Sequence, residues 1–186
     1  MSRRTRGATP PNPLCILTAA GHTELPVSTL AQVKATAGAA VFRCQGLRVV
    51  CWAPEDVRDV ARPYCQACQR PGVRQVWGSQ GLVWYWCQRC QRDLDPASSP
   101  FVYSFCLTLM DATSWVYAQV SKAEAEAFLG LSAVDLHASE EAAAQVKARL
   151  EALTRKDAGV DCCLRHHPEA GGPVRHRLFD SRRLPA

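Results

Sequence analysis

The side chains best able to do chemistry in this 186-residue sequence are its ten cysteines, and four of them are spaced to do it together. CysGlnAlaCys (65–68) and CysGlnArgCys (87–90) each hold two residues between their thiols. That spacing lets both sulfurs of a knuckle face one point. Two knuckles closed by a hairpin make a tetrahedral cage for Zn²⁺ from Cys65, Cys68, Cys87 and Cys90. A redox CxxC and a pair of disulfides are the competing chemistries. A redox CxxC normally occurs singly beside a βαβ pattern, and here there are two motifs without that pattern. One Zn²⁺ is expected, in a structural role, because four thiolates leave no open position for water or substrate.

The elements that must position this cage belong to a chain with 47% apolar and 21% charged residues, long enough to bury a real core. The net charge of +5 includes Arg3, Arg4 and Arg6, so the rest is only mildly basic. That balance is compatible with nucleic acid and equally with a solubilising charge. Residues 1–13, basic and Pro-rich, read as a disordered leader. No apolar h-region follows Met1 and no stretch is long enough to span a bilayer, so a reducing compartment is expected, nuclear or cytosolic. Cys15, Cys44, Cys51, Cys106, Cys162 and Cys163 are then expected to be small buried hydrophobes.

Along the chain, Ser28 offers an N-cap for a short helix carrying Leu30 and Val33. Residues 41–52 form a strand, with Gly46 marking a bulge or bend, and 53–63 read as a polar connection into the metal insert. Within the insert, 73–77 and 82–86 flank GlySerGlnGly as a hairpin. Trp77, Trp84, Tyr85 and Trp86 crowd this unit, either stacking on bases or packing a ribbon too small to have another core. In 101–110, Phe101, Tyr103, Phe105, Leu107 and Leu109 share one face at period two. AspAlaThrSer (111–114) is a turn into the strand 115–120. Ser121 and Glu124 read as a capping box for a helix ending at Gly130, and Ser139 starts a second helix with Val146, Leu150 and Leu153 on one face. Residues 161–167 and 174–180 form a last hairpin. Arg165, His166, His167, Arg175, His176 and Arg177 make it a basic patch for phosphate or an acidic partner, or else a solvated edge.

Long strand, metal insert, two strands, helices and a strand pair describe a mainly β fold with helices: a five-stranded Greek-key OB barrel with an inserted Cys₄ zinc ribbon. The expected boundaries are 14–186 for the OB domain and 62–92 for the ribbon. No Gly-rich phosphate loop or nucleophile–base pair appears, and no enzyme is expected.

TrpTyrTrpCysGlnArgCysGln, PheCysLeuThrLeuMetAspAlaThr and AlaGluAlaPheLeuGlyLeuSerAlaValAspLeu resemble the zinc-bearing OB domain of the replication protein A large subunit. ProLeuCysIle (13–16), residues 48–69 and the ending CysCysLeuArg…HisArgLeuPheAspSer are more similar to the carboxy-terminal OB domain of the protection-of-telomeres protein. Single-strand-binding domains of the replication type carry a stacking phenylalanine near the end of the third strand, where this sequence has Val120. The resemblance to the telomere family therefore implies a non-enzymatic end-protection module in the nucleus, on telomeric chromatin. It would dock a shelterin-type partner and support single-stranded telomeric DNA binding. LeuProAla after the last strand, too short for an assembly helix of the replication type, agrees with that expectation. The alternative is a replication protein A-like single-stranded DNA-binding domain acting in replication or repair. On either reading Trp84, Tyr117, Arg165, Arg175 and Arg177 are the candidate contacts to DNA or partner.

Overall fold

A 14-residue strand, β1 (Ala40–Ala53), bends far enough to serve both sides of one barrel. The bend sits where its pairing slips between Cys44 and Leu47. Gly46 adopts φ +63 there, a left-handed conformation that costs glycine little, and its N–H donates to Asp161 Oδ1 at 2.8 Å. The computed structural model describes residues 22–77, 81–167 and 175–184. The leader expected at 1–13, Cys15 and the tip of the last hairpin lie outside them.

The connection after β1 is more structured than its polar composition suggests. It contains a 3₁₀ turn (Val57–Val60) and a strand, β2 (Ala61–Cys65), that extends the main sheet. The ribbon follows as β3 (Arg70–Pro71), β4 (Val73–Trp77), β5 (Leu82–Cys87) and β6 (Arg92–Leu94), the last three forming a separate three-stranded sheet. The chain then returns through β7 (Phe101–Met110) and β8 (Trp115–Ser121), and ends in β9 (Gly159–His167) and β10 (Arg175–Leu184). The order β1-β9-β10-β8-β7 closes through a β1–β7 pairing, so five strands form a barrel. Only β8 and β10 run parallel within it. This is an OB barrel carrying a cysteine ribbon, as the sequence pattern predicts.

Alternation fills the barrel. Tyr103, Phe105, Leu107 and Leu109 of β7 and Val116, Ala118 and Val120 of β8 are buried, while their strand neighbours face outward. Between β8 and β9 lie α2 (Ala123–Leu129), ending at Gly130, and α3 (Glu140–Leu153). Phe128, Leu129, Val146, Leu150 and Leu153 join the same core. Ser139 caps α3, accepting from Ala142 N–H.

Two caps differ from expectation. Helix α1 (Leu30–Ala35) is capped by Thr29, one residue after Ser28, in a reciprocal box with Gln32. Ser121 is no cap at all: it ends β8, and its Oγ accepts from Arg177 at 3.1 Å. Glu124 Oε1 instead accepts from Ser181 N–H and Oγ, leaving α2 without a side-chain cap at Lys122. The local pattern lost to tertiary partners on β10. Among the cysteines, Cys44, Cys162 and Cys163 are buried as expected, but Cys51 and Cys106 are exposed on the outer barrel face. A register shift between Val49 and Cys51 reverses strand parity, which turns Cys51 outward to hydrogen-bond Thr108.

Candidate metal centre and nucleic-acid interface

Each knuckle is a tight turn whose next residue, Gln69 or Gln91, takes positive φ (58° and 49°). The two motifs thus share backbone shape as well as spacing. In the first, Gln69 N–H donates to Cys65 carbonyl; in the second, Cys90 N–H donates to Cys87 Sγ at 3.4 Å. The sulfurs of Cys65, Cys68, Cys87 and Cys90 all lie within 4.8 Å of one another. Cys65–Cys90 and Cys68–Cys87 are 3.7 and 3.3 Å apart. Zn–S bonds of about 2.3 Å require tetrahedral edges of about 3.8 Å, whereas a disulfide requires about 2.0 Å. All four are free thiols and their sulfurs converge, so this group is neither bridged by disulfides nor splayed apart. The donor set fits a closed tetrahedral metal site.

The surroundings prepare the sulfurs for a cation. The Cys68 backbone N–H outweighs burial and draws the Cys65 thiol down to about 6, aided by Arg92 at 3.6 Å. The Cys68 thiol pushes Cys90 up to about 12 in turn. Four close thiols cannot all ionise alone, and a divalent ion removes that conflict. Tyr85 and Leu94 cover the group as a small core of its own, distinct from the barrel core. Gly72 N–H donates to Pro63 carbonyl at 2.6 Å, and a Cβ there would meet Leu94 Cδ1 at 2.7 Å, so the backbone passes close beneath the cover. Lys122 Nζ then ties the ribbon to the barrel, donating to Tyr64 Oη and the Gln69 carbonyl.

The candidate contact residues separate into two places. Trp84 lies on the ribbon, stacked on Trp77 at 5.0 Å and 6°. Tyr85 is buried beneath them, so the ribbon aromatics divide between packing and exposure, with Trp77 55% exposed. Tyr117, Arg177 and Arg165 instead share the outer face of the barrel. Tyr117 is 61% exposed on β8, Arg177 stands opposite Gln119, and Arg165 stands opposite Arg177. Arg175 pairs with His167 in β10, and its side chain lies outside the described residues.

Trp115, absent from the predicted set, completes this face. It is 47% exposed, meets Tyr117 edge-on at 5.1 Å, and carries Lys34 Nζ 4.9 Å from its ring centroid. The signal was present in the strand alternation, since Trp115 and Tyr117 fall opposite Val116, Ala118 and Val120. A small pocket of about 190 Å³ opens between these rings, Lys34 and His176. The basic hairpin is narrower than expected. His166 and His176 turn inward, buried, with ring nitrogens 3.2 Å apart, and burial and then His166 lower the pKa of His176. Val120 is also buried, at 0% exposure. Its aliphatic side chain is a core requirement and does not report on stacking at the outer face.

No protein-family model matches the sequence, and no curated protein matches it either. Solved structures do. A chain of a replication protein A heterotrimer bound to ssDNA superposes with a TM-score of 0.55 at 18% identity, over 87% of this chain and 36% of that one. The protein thus spans about a third of that chain's length. Yeast RPA bound to ssDNA gives a TM-score of 0.55 at 14% identity, over 87% of this chain and 90% of that one. Identity this low establishes a shared fold: the barrel and its ribbon have the architecture of replication protein A chains.

Proposed function

We propose that the protein is a non-enzymatic OB module that binds single-stranded DNA across the outer face of β8, β10 and β9, with one structural Zn²⁺ in its Cys₄ group. Residues 14–186 form the module and 62–92 its ribbon. The exposed pair Trp115 and Tyr117 carries this reading. Two rings on one face, with Lys34 over one of them and Arg177 and Arg165 on neighbouring strands, supply the stacking surfaces and cations that a single strand requires. Both replication protein A structures are complexes with ssDNA, which supports the same use of this barrel and a nuclear, DNA-associated location.

The test is an anisotropy titration of a labelled oligothymidylate. Tyr117→Ala and Trp115→Ala each weaken binding by about 1–3 kcal/mol, roughly 5- to 160-fold, and wild-type affinity falls as salt rises. Unchanged affinity in both variants would falsify the assignment.

Telomere end protection through a shelterin-type partner is a narrower reading, supported by a cleft of about 300 Å³ along α3. Trp52, Val57, Arg58, Glu140, Ala144 and Lys147 line it. Ala144→Glu is expected to weaken co-purification with such a partner and to leave oligothymidylate affinity intact. Equal recovery of both proteins removes this cleft from the account.

A further inference from the structure

A second group of metal-ligating side chains lies away from the ribbon, where the amino-terminal segment crosses the outside of β1, β9 and β10. Arg43 holds that segment down, donating to Thr23 carbonyl at 2.7 Å, while Ser28 N–H donates to Arg43 carbonyl. The crossing covers Cys163, which stands opposite Arg43 on one side and Phe179 on the other. Outward-facing by strand parity, Cys163 is nonetheless 0% exposed. His22 lies against the Phe179 ring, edge-on at 5.0 Å. Asp180 sits where β10 slips register between Phe179 and Arg182, with φ +46, a conformation uncommon for any residue but glycine. His22, Cys163 and Asp180 each bring a ligand atom within 4.8 Å of the other two.

His22 Nδ1 lies 2.5 Å from Asp180 Oδ2, yet it is buried and has no partner in hydrogen-bond geometry. Beside this pair the Cys163 thiol completes a set of one nitrogen, one oxygen and one sulfur donor.

We propose that His22, Cys163 and Asp180 form a second metal site, for a borderline divalent ion of the zinc class. One imidazole nitrogen, one sulfur and one carboxylate oxygen match that class, whereas calcium and magnesium take oxygen ligands. Three protein ligands leave a fourth position for water or an external donor, in contrast to the closed Cys₄ group. His22 and Asp180 are 31% and 20% exposed, so the ion enters from solvent. Once bound, it pins the amino-terminal segment to β9 and β10.

Cobalt absorption on the full chain tests this, after zinc has been loaded to one per chain and held there, as checked by elemental analysis. Added Co²⁺ is expected to produce thiolate-to-cobalt charge transfer in the near ultraviolet and the visible bands of a four-coordinate ion. Both are lost in His22→Ala and Cys163→Ala and retained in His137→Ala. His22 lies outside the barrel core, so His22→Ala and Asp180→Asn carry the test even if Cys163→Ala folds poorly. Absence of these bands in wild type, or bands of equal intensity in His22→Ala, overturns the proposal.

Discussion

At the scale of single residues, Asp111 shows how the turn before the proposed binding strand is held. Its Oδ1 accepts from Thr113 N–H and Oγ1 and from Ser114 N–H, and its Oδ2 reaches Leu30 N–H at 2.7 Å. Thr113 Oγ1 adds a bond from Ala31 N–H, so the β7–β8 turn satisfies two donors at the start of α1. Burial raises the Asp111 carboxyl, but these bonds outweigh it and hold it at about 2, below its ordinary 3.8. A lowered folded-state value contributes stability that is present above pH 3.8 and is lost as pH falls through about 2. Asp111→Ala should cost about 1–2 kcal/mol, in line with the loss of a helix cap, and should flatten that acid limb. Urea melts of both proteins between neutral and acid pH measure it; parallel pH profiles would contradict the role given to this carboxylate.

The elements differ in how they hold together, and the ribbon is the exposed case. Its buried set is Cys65, Tyr85, Cys87 and Leu94, two of them sulfurs of the metal group, while the barrel buries its own separate core. Chelation, or Cys87→Ser, is therefore expected to unfold the ribbon and spare the barrel. The stacked Trp77–Trp84 pair supplies the readout, because its coupled near-ultraviolet circular dichroism should vanish while the barrel's far-ultraviolet signal persists. Unchanged spectra in chelator, or collapse of both signals together, would go against the separation. Element scale is also where the sequence was most readable. The knuckles and the strands β1, β7 and β8 were legible because ligand spacing and period-two alternation are local properties. The α2 cap was not, since Arg177 and Ser181 capture Ser121 and Glu124 from more than fifty residues away. Strand β2 hid behind ArgProTyr, a polar run with a proline, and pairs with β7 only once the barrel exists. Cys51 was misplaced by a bulge that alternation does not announce.

For the whole molecule, the barrel divides its surface into an outer sheet face with Trp115, Tyr117, Arg177 and Arg165, a ribbon bearing Trp77 and Trp84, and a cleft along α3. Val120 had pointed from sequence toward a partner-docking role without base stacking; its burial removes that inference and leaves the outer aromatics to decide. Photocrosslinking a halogenated-uracil oligonucleotide to the intact chain, with the attached peptide read by mass spectrometry, asks the molecule directly where a strand lies. Attachment at Trp115 or Tyr117 is the predicted result. Attachment confined to the ribbon hairpin, or none at saturating oligonucleotide, would contradict binding across β8, β10 and β9.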